Sequence, residues 1–161
     1  MKELLLLRHA KSSWESLVED RNRSLTEGGV NRIKRMATAS SELFKSFEVV
    51  FSSPANRAMH TACIIMHEVQ MPFEVLNLRE QLYTFEVSQL INFIKSLPDH
   101  YSKVICVGHN PAFTYAVSTL STTNLDHLPT AAWAQIQFEQ NQWNLIDKGQ
   151  VRIGLPKDIL K

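Results

Sequence analysis

The chain has 161 residues, enough for one domain built around a single sizeable core. Hydrophobic residues make up 44% and charged residues 20%, which excludes a disordered chain and points to a globular one. The formal net charge of +1 offers no broad cationic field for nucleic acid or a membrane surface, so any anion site must come from a few locally placed cations.

The N-terminus reads MKELLLLRHAK. Its apolar core, Leu4 to Leu7, is too short for a signal peptide, and no run in the chain reaches the roughly 18–20 apolar residues of a membrane span. The expected location is the cytoplasm, without membrane or nucleic-acid partners. Residues 3–7 suit a strand buried on both faces. Residues 28–46 carry Val30, Ile33, Met36, Ala37, Leu43 and Phe44 at helical spacing and predict one helix. Residues 48–52 repeat the buried-strand character. Ser53-Pro54, a cap followed by proline, predicts a helix over 55–68. A weaker strand is expected at 73–77, a helix at 86–97 and a strong strand at 103–107. Asn110-Pro111 then opens a helix over 111–120. Residues 133–138 and 142–146 alternate across the short break EQN and predict an antiparallel hairpin. Strands alternating with helices imply a single α/β domain over 1–161, a three-layer fold with helices on both faces of a mostly parallel, mixed sheet.

Cys63 and Cys106 sit in apolar stretches and read as buried small hydrophobes; no C-x-x-C pattern is present. His60, His67, His100 and His127 lack metal-ligand spacing.

Ligands of open α/β sheets bind beyond the carboxyl ends of the strands. Arg8-His9 follows the first strand. Ser52-Ser53-Pro54 and then Arg57 follow the second. Gly108-His109-Asn110-Pro111 follows the strand at 103–107. Three strands thus deliver two arginines and two histidines to one edge, beside two helix N-termini that attract anions. Guanidinium forks match phosphate oxygens and stay charged. A neutral imidazole is a competent nucleophile toward phosphorus, and a second can donate to a non-bridging oxygen. Such a site calls for no metal and no cofactor, because the arginines supply the charge. A lone histidine after a strand is ordinarily a loop residue. Arg57 in a first helical turn opposes the helix dipole, a local conflict of the kind found at functional sites.

These segments resemble the histidine phosphatase superfamily, with its phosphoglycerate mutase-like fold. LLLLRHAKSSW resembles that family's strand-one R-H-[GA] motif. SSPANRAMHTA resembles its S-S-P-x-x-R-A-x-x-T-A segment, and VGHNP its second-histidine motif. Asp20-x-x-Arg23-Ser24-Leu25-Thr26-Glu27-x-Gly29 and the later LPTAAWA resemble the small phosphohistidine phosphatases. Ser24 stands where that subgroup has proline.

The resemblance implies a transiently phosphorylated His9 in a phosphate pocket of Arg8, Arg57 and His109. It leaves the proton donor open among Glu80, in NLREQLY, Asp20, on the loop after strand one, and water. The bland alternatives are a solvated carboxylate for Glu80 and a salt bridge with Arg23 or Arg21 for Asp20. Ser12, Asp20 and Arg23 are further substrate-binding candidates, Lys11 could touch phosphate, and Trp14 could line the pocket mouth. The expected activity is a phosphatase acting on phosphohistidine in protein. The alternatives are a phosphatase or mutase for a small phosphorylated metabolite, and a non-catalytic phosphate-binding module. The chain has little length for a lid, which suits a phosphorylated protein side chain and disfavours a mutase.

Overall fold

Leu4, Leu5, Leu6 and Leu7 are all fully buried, and the strand they form, β1 (Lys2–Arg8), runs through the interior of the sheet. Burying a leucine side chain stabilises by about 1.5–3 kcal/mol, so this run alone anchors the core. The computed structural model describes residues 1–15 and 17–161. Among these, β1 is joined by β2 (Val49–Ser52), β3 (Leu76–Leu78), β4 (Lys103–Gly108), β5 (Trp133–Phe138) and β6 (Gln150–Gly154). The order across the sheet is β3-β2-β4-β1-β5-β6. The first four in chain order are mutually parallel where they pair; β5 runs antiparallel to β1, and β6 antiparallel to β5.

Alternation along β1 divides the core into two layers. Leu4 and Leu6 pack with α4 (Val87–Lys95) and α5 (Ala112–Leu120) through Leu90, Ile94, Phe113 and Val117. Leu5 and Leu7 pack with α1 (Glu27–Ala39) and α3 (Asn56–Glu68) through Ile33, Met36, Ala62 and Ile65. The expected three-layer α/β architecture with a mixed sheet is the one observed. No helix among the described residues is long and apolar enough to cross a membrane.

Three local expectations differ from the structure. The helix expected over 28–46 is two helices, α1 and α2 (Ser41–Lys45), parted at Ser40. The buried Trp133 indole donates to Ser40 Oγ there (3.1 Å), and α1 opens on Thr26, whose Oγ1 accepts from Gly29 N–H (2.9 Å). The strand expected at 73–77 is a 3-10 turn, Phe73–Val75, followed by β3. Residues 142–146 do not form the second hairpin strand: Trp143–Leu145 is a 3-10 turn, and the partner of β5 is β6. Trp143 is fully buried, its N–H donates to Asp99 Oδ1 and its indole to the Tyr101 carbonyl. Anchoring that side chain to the 99–101 loop takes precedence over strand pairing. The chain closes with α6 (Pro156–Ile159). Cys106 is buried as expected, whereas Cys63 is only partly so.

Candidate active site

Parallel pairing places the ends of β1 and β4 side by side, with Arg8 opposite Gly108, and sets Ser52 opposite Val107. Arg8, His9, Ser53 and His109 therefore emerge at one edge. Because β5 is antiparallel, its start reaches the same edge, with Trp133 opposite Leu7. Just before it, Ala131 adopts a left-handed backbone (φ 65°), and its N–H reaches the carbonyls of both Arg8 and His9 (3.2 Å each). A β-carbon in that region is strained, so the turn is held by its surroundings. Thr61 on α3 fixes the other flank: its Oγ1 donates to the Arg57 carbonyl (2.7 Å) and accepts from Ala10 N–H (3.0 Å).

A cavity of about 350 Å³ lies at this edge. Arg8, His9, Lys11, Ser12, Asp20, Arg23, Arg57 and His109 line it, with Trp14, Phe85, Asn110 and Thr130. Four cationic side chains face one carboxylate, so the cavity attracts anions although the chain is nearly neutral.

His9 is buried, and its Nδ1–H donates to the Ala10 carbonyl (2.7 Å). A carbonyl only accepts, so the neutral ring carries its proton on Nδ1 and leaves the Nε2 lone pair free. Burial foremost, and then Arg57, Arg8 and Arg23, push its pKa down to about 4 against the pull of the Ala10 bond. His109 lies 5.3 Å away, centroid to centroid, and is lowered to about 3, by burial and then Arg57. Its Nε2 meets Ser53 Oγ at 2.8 Å, and that oxygen also accepts from Ala55 N–H (3.2 Å). With the Ser53 hydroxyl donating to Nε2, His109 keeps its proton on Nδ1. Nδ1 of His109 and Nε of Arg8 are buried without a hydrogen-bond partner among the described residues. Buried donors of this kind are costly unless something accepts from them, and a phosphate oxygen would. Ser53, expected as the cap of α3, instead serves His109; the N-cap of α3 is Ala55.

Asp20 organises the arginines. Its Oδ2 accepts from Arg57 Nη2 (3.0 Å) and from the Tyr83 hydroxyl (2.5 Å), its Oδ1 from Arg23 Nη1 (3.1 Å), and its carbonyl from Arg57 Nη1 (2.7 Å). Burial raises its pKa, but Tyr83, Arg57 and Arg23 outweigh it and hold the carboxyl at about 2. The charge of Arg57, almost fully buried in a first helical turn, is compensated this way. Arg23 also donates to Ser12 Oγ (2.6 Å) and the Ser13 carbonyl (3.0 Å), and its guanidinium lies over the Trp14 ring, 3.2 Å from the centroid.

Of the sequence-predicted residues, the structure gathers Arg8, His9, Ser12, Asp20, Arg23, Arg57 and His109 around one cavity. It does not bring Glu80 there. Glu80 sits in a 3-10 turn, Glu80–Leu82, exposed and paired to Arg21 through two hydrogen bonds. That ion pair holds its pKa below the ordinary value, the reverse of what a proton donor needs. Asp20 lies in the site but is a fixed anion at neutral pH. Sequence reasoning missed Tyr83, Phe85, Thr130 and the Ala131 turn. It also passed over His127, whose Nε2 is 3.4 Å from Arg8 Nη1. Tyr83, after β3, ends the NLREQLY segment and Phe85 follows it, but an aromatic side chain carries no charge to mark it as part of an anion site. Among the described residues, no group of three or more His, Cys, Asp or Glu is arranged to hold a metal ion.

The sequence pattern of the histidine phosphatase superfamily (branch 1) matches residues 4–88. An uncharacterized chloroplastic protein of Arabidopsis thaliana is 30% identical over 152 residues, covering 88% of this chain and 69% of that one. The protein histidine phosphatase SixA, solved with tungstate, superimposes with a TM-score of 0.82 at 21% identity over 99% of each chain. The putative phosphohistidine phosphatase SixA of Agrobacterium tumefaciens gives 0.77 at 21% identity, over 85% of this chain and 92% of its own. The matched family segment covers more than half of the chain and includes the stretches that deliver Arg8, His9, Asp20 and Arg57 to the cavity: this protein belongs to the histidine phosphatase superfamily, branch 1, and is a phosphatase.

Proposed function

We propose that this phosphatase removes the phosphoryl group from phosphohistidine in a protein, with His9 as the transient phosphoryl acceptor. The observation that carries the reading is the His9 ring itself: neutral, with Nδ1–H spent on Ala10 and Nε2 free, in a cavity lined by four cations. The substrate phosphoryl docks against Arg8 and Arg57, with His109 Nδ1–H donating to a non-bridging oxygen. His9 Nε2 attacks in line; its bond to phosphorus forms as the substrate P–N bond breaks. The arginines balance charge on the equatorial oxygens, and the leaving imidazole takes a proton from water at the cavity mouth. Water then attacks phospho-His9, the P–Nε2 bond breaks, and inorganic phosphate departs while the proton lost by water passes to solvent. An imidazole leaves phosphorus more readily than an alkoxide, which suits a site whose one carboxylate, Asp20, is held ionised.

His9→Ala, assayed on a chromogenic phosphate ester and on a phosphohistidine peptide, is expected to lose at least about a thousandfold in turnover on both. Wild-type rates on both would overturn the nucleophile assignment. A higher kcat/KM for small sugar phosphates than for phosphohistidine protein would move the substrate to metabolites.

A further inference from the structure

The polar side chains of the cavity are largely committed to one another. Ser12 Oγ accepts from Arg23, and both Asp20 oxygens are taken by Arg57, Arg23 and Tyr83. Asn110 donates to the Leu128 carbonyl and accepts from the N–H and hydroxyl of Thr114. Once Arg8, Arg57, His9 and His109 have engaged a phosphoryl group, the lining polar side chains left for the rest of the substrate are Lys11 and Thr130. Two large aromatic side chains do remain. Trp14 is 79% exposed and Phe85 46% exposed, and both line this cavity. Each is pinned to a different member of the anion-binding cluster: Trp14 stacks on Arg23, and Phe85 meets His109 edge-on at 5.7 Å and Tyr83 at 6.0 Å. Arg23 is itself fixed by hydrogen bonds to Ser12, Ser13 and Asp20, so the Trp14 ring rests on a rigid platform. Exposed apolar surface at the mouth of a polar pocket is costly to leave in water and is gained back when a ligand covers it.

We propose that Trp14 and Phe85 form the leaving-group subsite and select flat aromatic leaving groups, such as imidazole or phenol, over polyhydroxylated ones. A ring stacks on or meets the edge of an aromatic side chain without hydrogen bonds. A sugar or glycerol moiety would bury hydroxyls against rings that cannot satisfy them. The inference rests on the phosphatase reading above and narrows its substrate class.

The test is a selectivity ratio: kcat/KM for phenyl phosphate divided by kcat/KM for glycerol 2-phosphate, with inorganic phosphate as competitive inhibitor. Taking the change in this ratio on mutation cancels the intrinsic difference in leaving-group reactivity. Phe85→Ala and Trp14→Ala are each expected to lower it about tenfold, the loss of one aromatic contact. Phe85→Tyr and Trp14→Phe should hold it within about twofold, and Tyr115→Ala, an exposed aromatic outside the cavity lining, should leave it unchanged. The phosphate inhibition constant should move less than about threefold in every variant, because phosphate carries no leaving group. An unchanged ratio in both alanine variants overturns the subsite, as does a phosphate constant that shifts as far as the ratio. Should phosphohistidine peptide prove inert while the phenyl phosphate ratio falls as expected, the phosphohistidine assignment fails and the subsite stands. Turnover of the peptide with no change in ratio has the opposite meaning.

Discussion

At the scale of single residues, the two acidic candidates part company. Asp20 is an ionised carboxylate whose oxygens orient Arg57 and Arg23, whereas Glu80 is an exposed partner of Arg21. Asp20→Asn keeps the shape but replaces one acceptor oxygen with an amide and removes the charge that compensates a nearly fully buried guanidinium. It should lower kcat/KM for any phosphorylated substrate at least about tenfold, since hydrogen bonds to charged groups are among the stronger ones. Glu80→Gln should change it less than about twofold, because an exposed pair contributes little. Steady-state kinetics of the two variants side by side checks both; a larger loss in Glu80→Gln would restore Glu80 as the proton donor.

At the scale of elements, the start of α1 is pressed against the loop that follows the nucleophile. A β-carbon on Gly29 would lie 2.4 Å from the Lys11 carbonyl, a backbone atom that cannot swing away, whereas one on Gly28 would meet nothing closer than 4.0 Å. Gly29→Ala should therefore destabilise by about 1–3 kcal/mol through overpacking. Gly28→Ala should be neutral or stabilise by up to about 1 kcal/mol, because alanine reduces the freedom of the unfolded chain. Urea unfolding of the two variants measures the difference; equal effects would mean that the Lys11 loop yields. The same packing logic explains residues 142–146. Their alternating pattern fits a strand as well as QVRIG does, and the choice falls to β6 because Trp143 finds its acceptor and its burial on the 99–101 loop.

At the scale of the whole molecule, the fold keeps two buried histidines neutral beside a cluster of cations. His9 at about 4 and His109 at about 3 lie below the ordinary value of about 6.5 that both regain on unfolding. Between those limits the unfolded chain binds protons that the folded one does not, so folding stability is greatest above pH 6.5 and falls as pH drops toward 4. The loss should reach a few kcal/mol by pH 4, because each tenfold difference in proton affinity between the folded and unfolded chain is worth about 1.4 kcal/mol. Unfolding free energies at pH 7, 5.5 and 4.5 check this, and a flat profile would contradict the neutral pair. Inorganic phosphate, bound only by the folded cavity, should raise stability at every pH where it binds.

The buried strands at Leu4–Leu7 and 103–107, the layered architecture and the set Arg8, His9, Arg57 and His109 were legible from the chain itself. A strand hidden on both faces leaves a continuous apolar run, and charged residues set just beyond such runs have to emerge at the sheet edge. Asp20 could be named from a motif, but whether it donates a proton or holds arginines depends on which groups stand around it, and Tyr83 and Arg57 arrive from 63 and 37 residues away. Glu80 occupies a plausible place in the order of segments, but its position outside the cavity and its pairing with Arg21 are set by the tertiary structure. The free Nε2 of His9 follows from a carbonyl one residue along, yet its depressed pKa comes from burial and from guanidinium groups delivered by other segments. Local sequence determines which elements form and what they carry to their ends. The long-range contacts of the folded chain decide the protonation and partners of those groups, because electrostatic environments are made by neighbours in space.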